Sequence, residues 1–532
     1  MTWYEKSSGP ITETQYEWQQ KAILCIAVVV ALMTDAIGST VLSFARTDIN
    51  GAFSTTPDQY SLLIIAYVAA KIIGYLLTPW ICGVVGARAS MTTALSIITM
   101  GFALMTLMDS RLAQLGLVAC LGASGGVLVV SGQALLFLTF MRRNQPVLQT
   151  FYALGSAAGA ASFAPGLQGW MLLSLDWRWI PAVAVGIALL ALILLSLTRV
   201  GRTTTTRLGT FNAKFFVLAM IGIMCAAYVS TQGDRWNWFE APRIALYSVM
   251  GICTTVLAVR SLIQQTPEHR MLDLAIFRDL DFSFAFVASF FAGFALFGTG
   301  YLIPVYATVV LGMNSLQLGQ LLLPGGLSFF LAMSISAFVL PCLKAPIVVT
   351  VPLGIAMLML AMWQLSLQET GAGVSELMPA ILLRGGALGF LFLAVTLMAL
   401  MPMPEHQVAH GSALLFTARQ IGGLAGTGFL GSLVGRQTEL NSQVLSGQLT
   451  DGNPVLAART AELTEHFLQK GMIQSDATLS AIRQLGLSLS LQANSIACSR
   501  AFLTVAAFFL FAVPTLVLYR LVLTKLIDRH SQ

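Results

Sequence analysis

Apolar runs of about 20 residues recur along nearly the whole chain and limit its fold more than any other feature. Backbone groups in lipid must be hydrogen-bonded within their own segment, so each run is expected to be a helix. Only 10% of the 532 residues are charged, against about 25% in a soluble domain. The sequence therefore predicts an all-α polytopic membrane protein. Its fourteen predicted spans cover residues 21–44, 57–80, 89–108, 112–141, 147–173, 179–197, 213–229, 244–263, 282–309, 316–340, 345–365, 377–400, 411–434 and 501–523.

The basic residues of the short loops predict the orientation of the chain. Sixteen lysines and arginines fall on one side of the predicted spans and five on the other, which places both termini in the cytoplasm. The polar leader at residues 1–20 is expected to stay there, because no cleavable signal is evident. Since the net charge of +6 resides in these loops, it indicates topology and not nucleic-acid binding.

One long polar segment, residues 436–499, is predicted to lie outside. Within it, Asn453 and Pro454 are typical of a helix cap followed by proline at the first helical position. Apolar residues follow at roughly helical spacing, and a second helical run at residues 477–497 is expected to lead into the last span. A solvated cap and a docking surface for a partner protein both remain open as interpretations.

Four charged residues lie inside predicted spans and away from their ends, where burial of a charge in lipid is costly. Asp35 is the one acid, and Lys71, Arg384 and Arg419 are the bases. At about 1.5 Å per residue, Asp35 and Lys71 differ in depth by only about 7 Å, so we predict that they pair across the first two helices. The predicted proton or substrate site comprises Asp35, Lys71, Tyr67, Arg384 and Arg419.

Each of these residues also has a purely structural interpretation. The Asp35 and Lys71 pair could be a permanent salt bridge, and the two arginines could bind helix ends or carbonyl groups. If they face a cavity, the excess of basic groups predicts a preference for anionic or weakly acidic lipophiles, because charges attract more strongly at low dielectric.

No metal, cofactor or enzymatic site is predicted. The seven cysteines form no CxxC pair, so neither disulfides nor metal ligands are expected. His406 and His410 share a helical face near Glu405, but HExxH is absent, so they are expected to mark a helix start. An enzyme would need a nucleophile or an acid–base pair at the interface, and the sequence shows no such constellation.

Small residues and one proline fill the fifth span, GSAAGAASFAPGLQGW, which places Gly155, Gly159, Pro165 and Gly169 in one helix. Glycines let a neighbouring backbone approach, and proline permits a bend. Their order and spacing resemble the antiporter motif of the major facilitator superfamily, and the DWRW run that follows resembles the end of that motif.

Other stretches are similar to the fourteen-span drug:proton antiporters of that superfamily. They include Asp35, the QG with nearby tryptophans at residues 232–239, the LDL at 272–274 and the RQ at 419–420. The long loop before the last helix resembles that of the inner-membrane pump of tripartite multidrug efflux systems. The resemblance implies a major facilitator fold, with one six-helix bundle at residues 21–198, another at 282–532, and two inserted helices within 199–281.

Some positions depart from the family pattern. Gly83 stands where the loop after the second helix usually carries an acid, and Val118 stands where the fourth helix usually opens with an arginine tied to proton coupling. Ala164 and Gln168 replace glycines of the antiporter motif. The usual proton-coupling network is therefore incomplete in this chain.

The resemblance implies a transporter, with no cofactor, in the lipid of a bacterial inner membrane. It would export small amphipathic or lipophilic compounds by alternating access, coupled to protons, with a periplasmic adaptor and an outer-membrane channel as partners. One alternative is a dedicated exporter of a single endogenous product, such as a siderophore or lipid precursor, which a neighbouring biosynthetic operon would favour. A membrane-embedded receptor or enzyme is the alternative from another class.

Overall fold

A computed structural model describes residues 15–53, 56–107, 110–198, 210–265, 271–342, 349–447 and 454–530. Most of the expected leader and the capping residue Asn453 lie outside these ranges. So do several of the basic loop residues that predicted the orientation, namely Lys6, Arg199, Arg202, Arg207, Arg270 and Lys344. In the described ranges the chain is helical almost throughout and contains no strand.

The α-helices of the described residues follow one another with short connections. They are α1 (Gln15–Phe44), α2 (Arg46–Phe53), α3 (Pro57–Val85), α4 (Ala87–Leu107), α5 (Arg111–Thr139), α6 (Gln145–Ala153), α7 (Ala164–Ser174), α8 (Trp179–Leu197), α9 (Ala213–Gln232), α10 (Pro242–Ile263), α11 (Leu280–Gly293), α12 (Thr299–Val305), α13 (Ser315–Cys342), α14 (Thr350–Ser366), α15 (Val374–Leu400), α16 (Glu405–Gly447), α17 (Pro454–Gln469) and α18 (Gln474–His530).

A helical run lies at each of the fourteen predicted positions. Eleven runs among the described residues are long and apolar enough to cross a membrane. The other three are the shorter α14, the glycine-rich α16, and a fifth run in which α6 and α7 are joined by a π-helical stretch, Leu154–Phe163. The fifth span is therefore one continuous run, as predicted, but its middle is wound more widely than an α-helix.

The apolar core has two main parts. One draws its buried residues almost entirely from α1 to α8, and the other draws them almost entirely from α11 to α18. The helices α9 and α10 pack against each other, and α9 also contacts α3 and α16. A helix from each half thus borders the inserted pair.

Two helices are much longer than a membrane is thick. The 57 residues of α18 extend about 85 Å at about 1.5 Å per residue, against a hydrocarbon core of about 30 Å. Its first turns pack against α17, and Asn441 of α16 donates to the carbonyl of Ala493 at 3.3 Å. The second helical run predicted in the long polar segment begins at Gln474 and continues without interruption into the last span.

Candidate functional site

The predicted pair of Asp35 and Lys71 forms by direct contact. Lys71 Nζ lies 2.8 Å and 3.0 Å from the two carboxylate oxygens of Asp35, and both residues are buried. The Tyr67 hydroxyl donates to Asp35 Oδ1 at 3.4 Å, and Lys71 Nζ lies 5.5 Å from the centre of the Tyr67 ring. Three of the five predicted site residues therefore meet at one point between α1 and α3.

The helix α5 closes this point from a third direction. Gly122 and Gly126 bring its backbone against the backbone of Tyr67 and Lys71 on α3. A Cβ at Gly125 would meet Asp35 Oδ1, so the carboxylate occupies the space that a side chain would take. Sequence reasoning missed Gly125 as a site residue, although the run GASGG was the available signal for a close approach.

Arg384 lies elsewhere, with its hydrogen bonds made inside the second half. Its Nε donates to Thr299 Oγ1 at 2.6 Å and its Nη2 donates to the carbonyl of Leu296 at 3.2 Å. Leu296 belongs to a π-helical stretch, Phe294–Gly298, between α11 and α12. The Leu296 carbonyl also accepts from the backbone N–H of Thr299, so Arg384 is a second donor to it. The structure thus places Arg384 against a carbonyl, as the structural interpretation anticipated.

Arg419 has a different environment. Its Cζ lies 4.0 Å from the centre of the Phe392 ring and 5.4 Å from that of Phe416. The residue is only 8% exposed. Its Nε is buried without a hydrogen-bond partner among the described residues, and no carboxylate of these residues forms an ion pair with it.

A small cavity of about 20 Å³ lies beside Arg419. Residues of both halves line it, and none of them is acidic. They are Gln133, Gln149, Tyr152, Ala153, Ser156, Met333, Phe392, Thr396, Phe416 and Arg419. The Phe416 ring reaches the first half, with its centre 5.7 Å from that of Tyr75 and 6.3 Å from that of Tyr152. Sequence reasoning found Arg419 and missed the other lining residues, because their polar groups follow no recognisable spacing.

The helical run of the antiporter-like motif packs between the two halves, against α1 of the first and α13 of the second. Gly155 and Gly159 lie in its π-helical part and pack against α1. Pro165 and Gly169 lie in α7, where they approach the backbone of α13. Gln168, which replaces a glycine of the motif, donates to the Ile37 carbonyl (3.0 Å) and Thr40 Oγ1 (2.9 Å) of α1.

The two histidines are part of a helix start. The helix α16 begins at Glu405, as their interpretation required. His410 Nδ1 accepts a hydrogen bond from the backbone N–H of Asp273 at 3.3 Å, and Gln407 Nε2 donates to Asp273 Oδ2 at 2.9 Å. These bonds fasten the segment before α11 to the first turn of α16.

Comparisons with known proteins agree with this architecture. The sequence profile of the Major Facilitator Superfamily matches residues 24–427. Colistin resistance protein EmrB of Acinetobacter baumannii is 23% identical over 364 residues, which cover 68% of this chain and 70% of that protein. Probable multidrug resistance protein EmrY of Escherichia coli K12 is 22% identical over 514 residues, covering 92% of this chain and 95% of that one.

Two solved structures share the fold at low identity. The proton:xylose symporter XylE bound to 6-bromo-6-deoxy-D-glucose superposes with a TM-score of 0.55 at 12% identity, over 81% of this chain and 91% of that one. The human organic anion transporter MFSD10 superposes with a TM-score of 0.53 at 13% identity, over 92% of this chain and 99% of that one.

Proposed function

The chain belongs to the major facilitator superfamily of membrane transporters, and we propose that it exports small amphipathic or lipophilic compounds by proton-coupled antiport. The relatives described above are named for resistance to colistin and to multiple drugs, which supports export in particular. The proposed setting is a bacterial inner membrane with both termini in the cytoplasm, as the basic loop residues indicate.

The cavity between the two halves is the observation that carries this proposal. The halves also touch each other on both predicted membrane sides. On the predicted cytoplasmic side, Arg142 donates to the carbonyls of Met401 (2.7 Å) and Met403 (2.5 Å), just beyond α15. On the predicted outer side, Gly169 of α7 lies against Ser315 of α13. In alternating access by rocking bundles, one set of contacts opens while the other stays closed.

The pair of Asp35 and Lys71 is the proposed coupling element. It supplies a proton acceptor at membrane depth without the arginine that is absent at Val118. Lys71 pairs with the carboxylate, and an arriving proton or an anionic substrate competes for one partner. Two charges held together in one access state and separated in the other would couple proton entry to rocking of the bundles.

Proteoliposomes with an imposed pH gradient test the coupling. Asp35→Asn should abolish gradient-driven transport while substrate binding and expression persist, because the amide oxygen still accepts from Lys71 but takes up no proton. The double variant Asp35→Asn, Lys71→Met is the control for a purely structural pair. Full gradient-driven transport by the double variant would show that the proton travels elsewhere.

We further propose that the outer helices dock a periplasmic adaptor, which would lead to an outer-membrane channel. The segment from Ile473 into the first turns of α18 exposes apolar side chains, with Ile473, Ile482 and Leu487 at 73%, 55% and 66% exposure. Deleting residues 450–475 should leave the pump folded and inserted but abolish resistance in cells. Leu487→Asp should weaken resistance as well, whereas Ser488→Asp on the next residue should not. Resistance that survives the deletion would refute the docking proposal.

A further inference from the structure

We propose that the cavity beside Arg419 is a subsite for a planar carboxylate whose molecule also carries a hydrogen-bond donor, as an aromatic hydroxy acid does. Its role in export rests on the proposed function, but the binding itself does not. The two recognition groups are Arg419 and Gln133, which line the cavity from opposite halves of the molecule.

Arg419 presents a charge for which the described part of the chain supplies no counter-ion. The Phe392 ring, 4.0 Å from the guanidinium carbon, covers one face of the group. Aromatic contact uses the face of a guanidinium and leaves the N–H groups at its edge free for hydrogen bonds. Nε has no partner among the described residues, although a buried unpaired charge is strongly unfavourable. A carboxylate is the planar anion that matches the guanidinium edge with two parallel bonds.

A row of three amides determines what Gln133 presents to the cavity. Gln145 Nε2 donates to the carbonyls of Leu136 (3.1 Å) and Phe140 (3.3 Å), which can only accept. Gln145 Oε1 therefore accepts from Gln149 Nε2 at 3.4 Å, and Gln149 Oε1 accepts from Gln133 Nε2 at 2.8 Å. The group left over at Gln133 is an oxygen, buried and without a partner in the described part of the chain.

The cavity thus offers one cationic donor and one neutral acceptor that no neighbouring side chain satisfies. A ligand completes both only if it brings an anionic acceptor and a donor, such as a hydroxyl group. The aromatic rings of Tyr152, Phe392 and Phe416 suit a planar body between the two groups. The cavity volume of about 20 Å³ is far below the ~300–1,000 Å³ of typical sites for drug-sized ligands. In this conformation it therefore admits only the head group of an acid, and the rest of the molecule enters when the two halves move apart.

Calorimetric titration of the purified full-length protein tests this subsite with four probes. They are 3-hydroxybenzoate, 4-hydroxybenzoate, benzoate, which lacks the donor, and methyl 4-hydroxybenzoate, which lacks the charge. At least one hydroxybenzoate should bind about tenfold more tightly than the ester, and several-fold more tightly than benzoate. Equal binding of acids and ester, or no binding of any acid, would overturn the proposal.

Two variants separate the recognition groups. Arg419→Gln should weaken both hydroxybenzoates and benzoate by about tenfold or more and leave the ester unchanged. Gln133→Leu should leave benzoate unchanged and remove only the advantage of the hydroxybenzoates over it. If Arg419→Gln fails to fold, Arg419→Lys replaces it, and the loss of two-point binding should still weaken the acids several-fold. Unchanged affinities in a folded Arg419 variant would contradict the proposal.

Transport measurements distinguish failure of the subsite from failure of the proposed function. If the acids bind with the expected pattern but no pH gradient drives them across proteoliposomes, the export proposal fails while the subsite stands. If gradient-driven export of other amphipathic compounds occurs but Arg419→Gln leaves acid binding intact, the subsite fails while the export proposal stands.

Discussion

Two buried cations of this transporter, Lys71 and Arg419, differ in whether a carboxylate neutralises them. Lys71, in the first half, has both oxygens of Asp35 within 3.0 Å and the Tyr67 ring beside it. Arg419, in the second half, has aromatic rings and a cavity, but no carboxylate among the described residues. In the first site the charge of Lys71 is neutralised by Asp35 without any ligand. In the second site no described carboxylate neutralises the charge of Arg419. A molecule that enters the cavity therefore binds most favourably if it carries an anionic group.

Arg384 shows that the second half can satisfy a buried arginine. It lies one helix away from Arg419, and its guanidinium bonds Thr299 and the Leu296 carbonyl. Desolvation of a charge disfavours burial unless bonds replace the lost water. The fold supplies such bonds to Arg384, whereas Arg419 Nε has no partner among the described residues. We infer that Arg384 holds α12 in place, whereas Arg419 is kept free for binding.

The largest predicted loss of stability comes from breaking the ion pair of Asp35 and Lys71. Lys71→Met leaves the Asp35 carboxylate buried without its cation and should destabilise the protein by about 3–5 kcal/mol. The double variant Asp35→Asn, Lys71→Met removes both charges and should recover most of this loss. Thermal unfolding in detergent measures both variants. A double variant no more stable than Lys71→Met would mean that the two charges do not stabilise each other.

A smaller loss of stability should come from placing a methyl group against the Asp35 carboxylate. The Cβ of Gly125→Ala would meet Asp35 Oδ1 and force the carboxylate away from Lys71. Overpacking of this kind typically costs about 1–3 kcal/mol, and we expect coupling of transport to the pH gradient to fall with it. Gly116→Ala on the same helix is the matched control, because a Cβ there meets nothing within 4 Å. Equal effects of the two substitutions would show that helix propensity, not the carboxylate, is responsible.

The sequence predicted the fold better than it predicted the site. Apolar runs specify spanning helices because lipid enforces internal hydrogen bonding. A helix was therefore predictable at each of the fourteen positions, and eleven of the described runs are long and apolar enough to cross a membrane. The Asp35 and Lys71 pair followed from counting helical rise along two neighbouring spans. The environments of Arg384 and Arg419 could not be distinguished, since both appear as one arginine in an apolar helix. What separates them is the pair of acceptors that Arg384 finds, the Thr299 hydroxyl and the Leu296 carbonyl, which no residue pattern indicated.

Removing Arg384 should have an intermediate effect. Arg384→Met leaves the Leu296 carbonyl and the Thr299 hydroxyl oxygen without the bonds that the guanidinium donates. Hydrogen bonds to a charged group contribute about 1.5–3 kcal/mol, so the unfolding temperature should drop measurably. Binding of a carboxylate probe at the cavity should be unaffected in the folded fraction. An equal loss of acid binding in Arg384→Met and Arg419→Gln would erase the distinction between the two arginines.

The smallest expected change of stability is at Arg419 itself. Arg419→Met removes a buried charge whose Nε no described group accepts from, so no partner is left unsatisfied. Methionine also fills an irregular apolar space and makes favourable contacts with aromatic rings such as Phe392. Replacing buried charges by apolar residues of similar volume is often neutral or stabilising. We therefore expect Arg419→Met to unfold at the same temperature as the parent protein or higher, while it loses affinity for carboxylates. A loss of stability as large as that of Arg384→Met would show that Arg419 is structural, and the contrast between the two halves would then disappear.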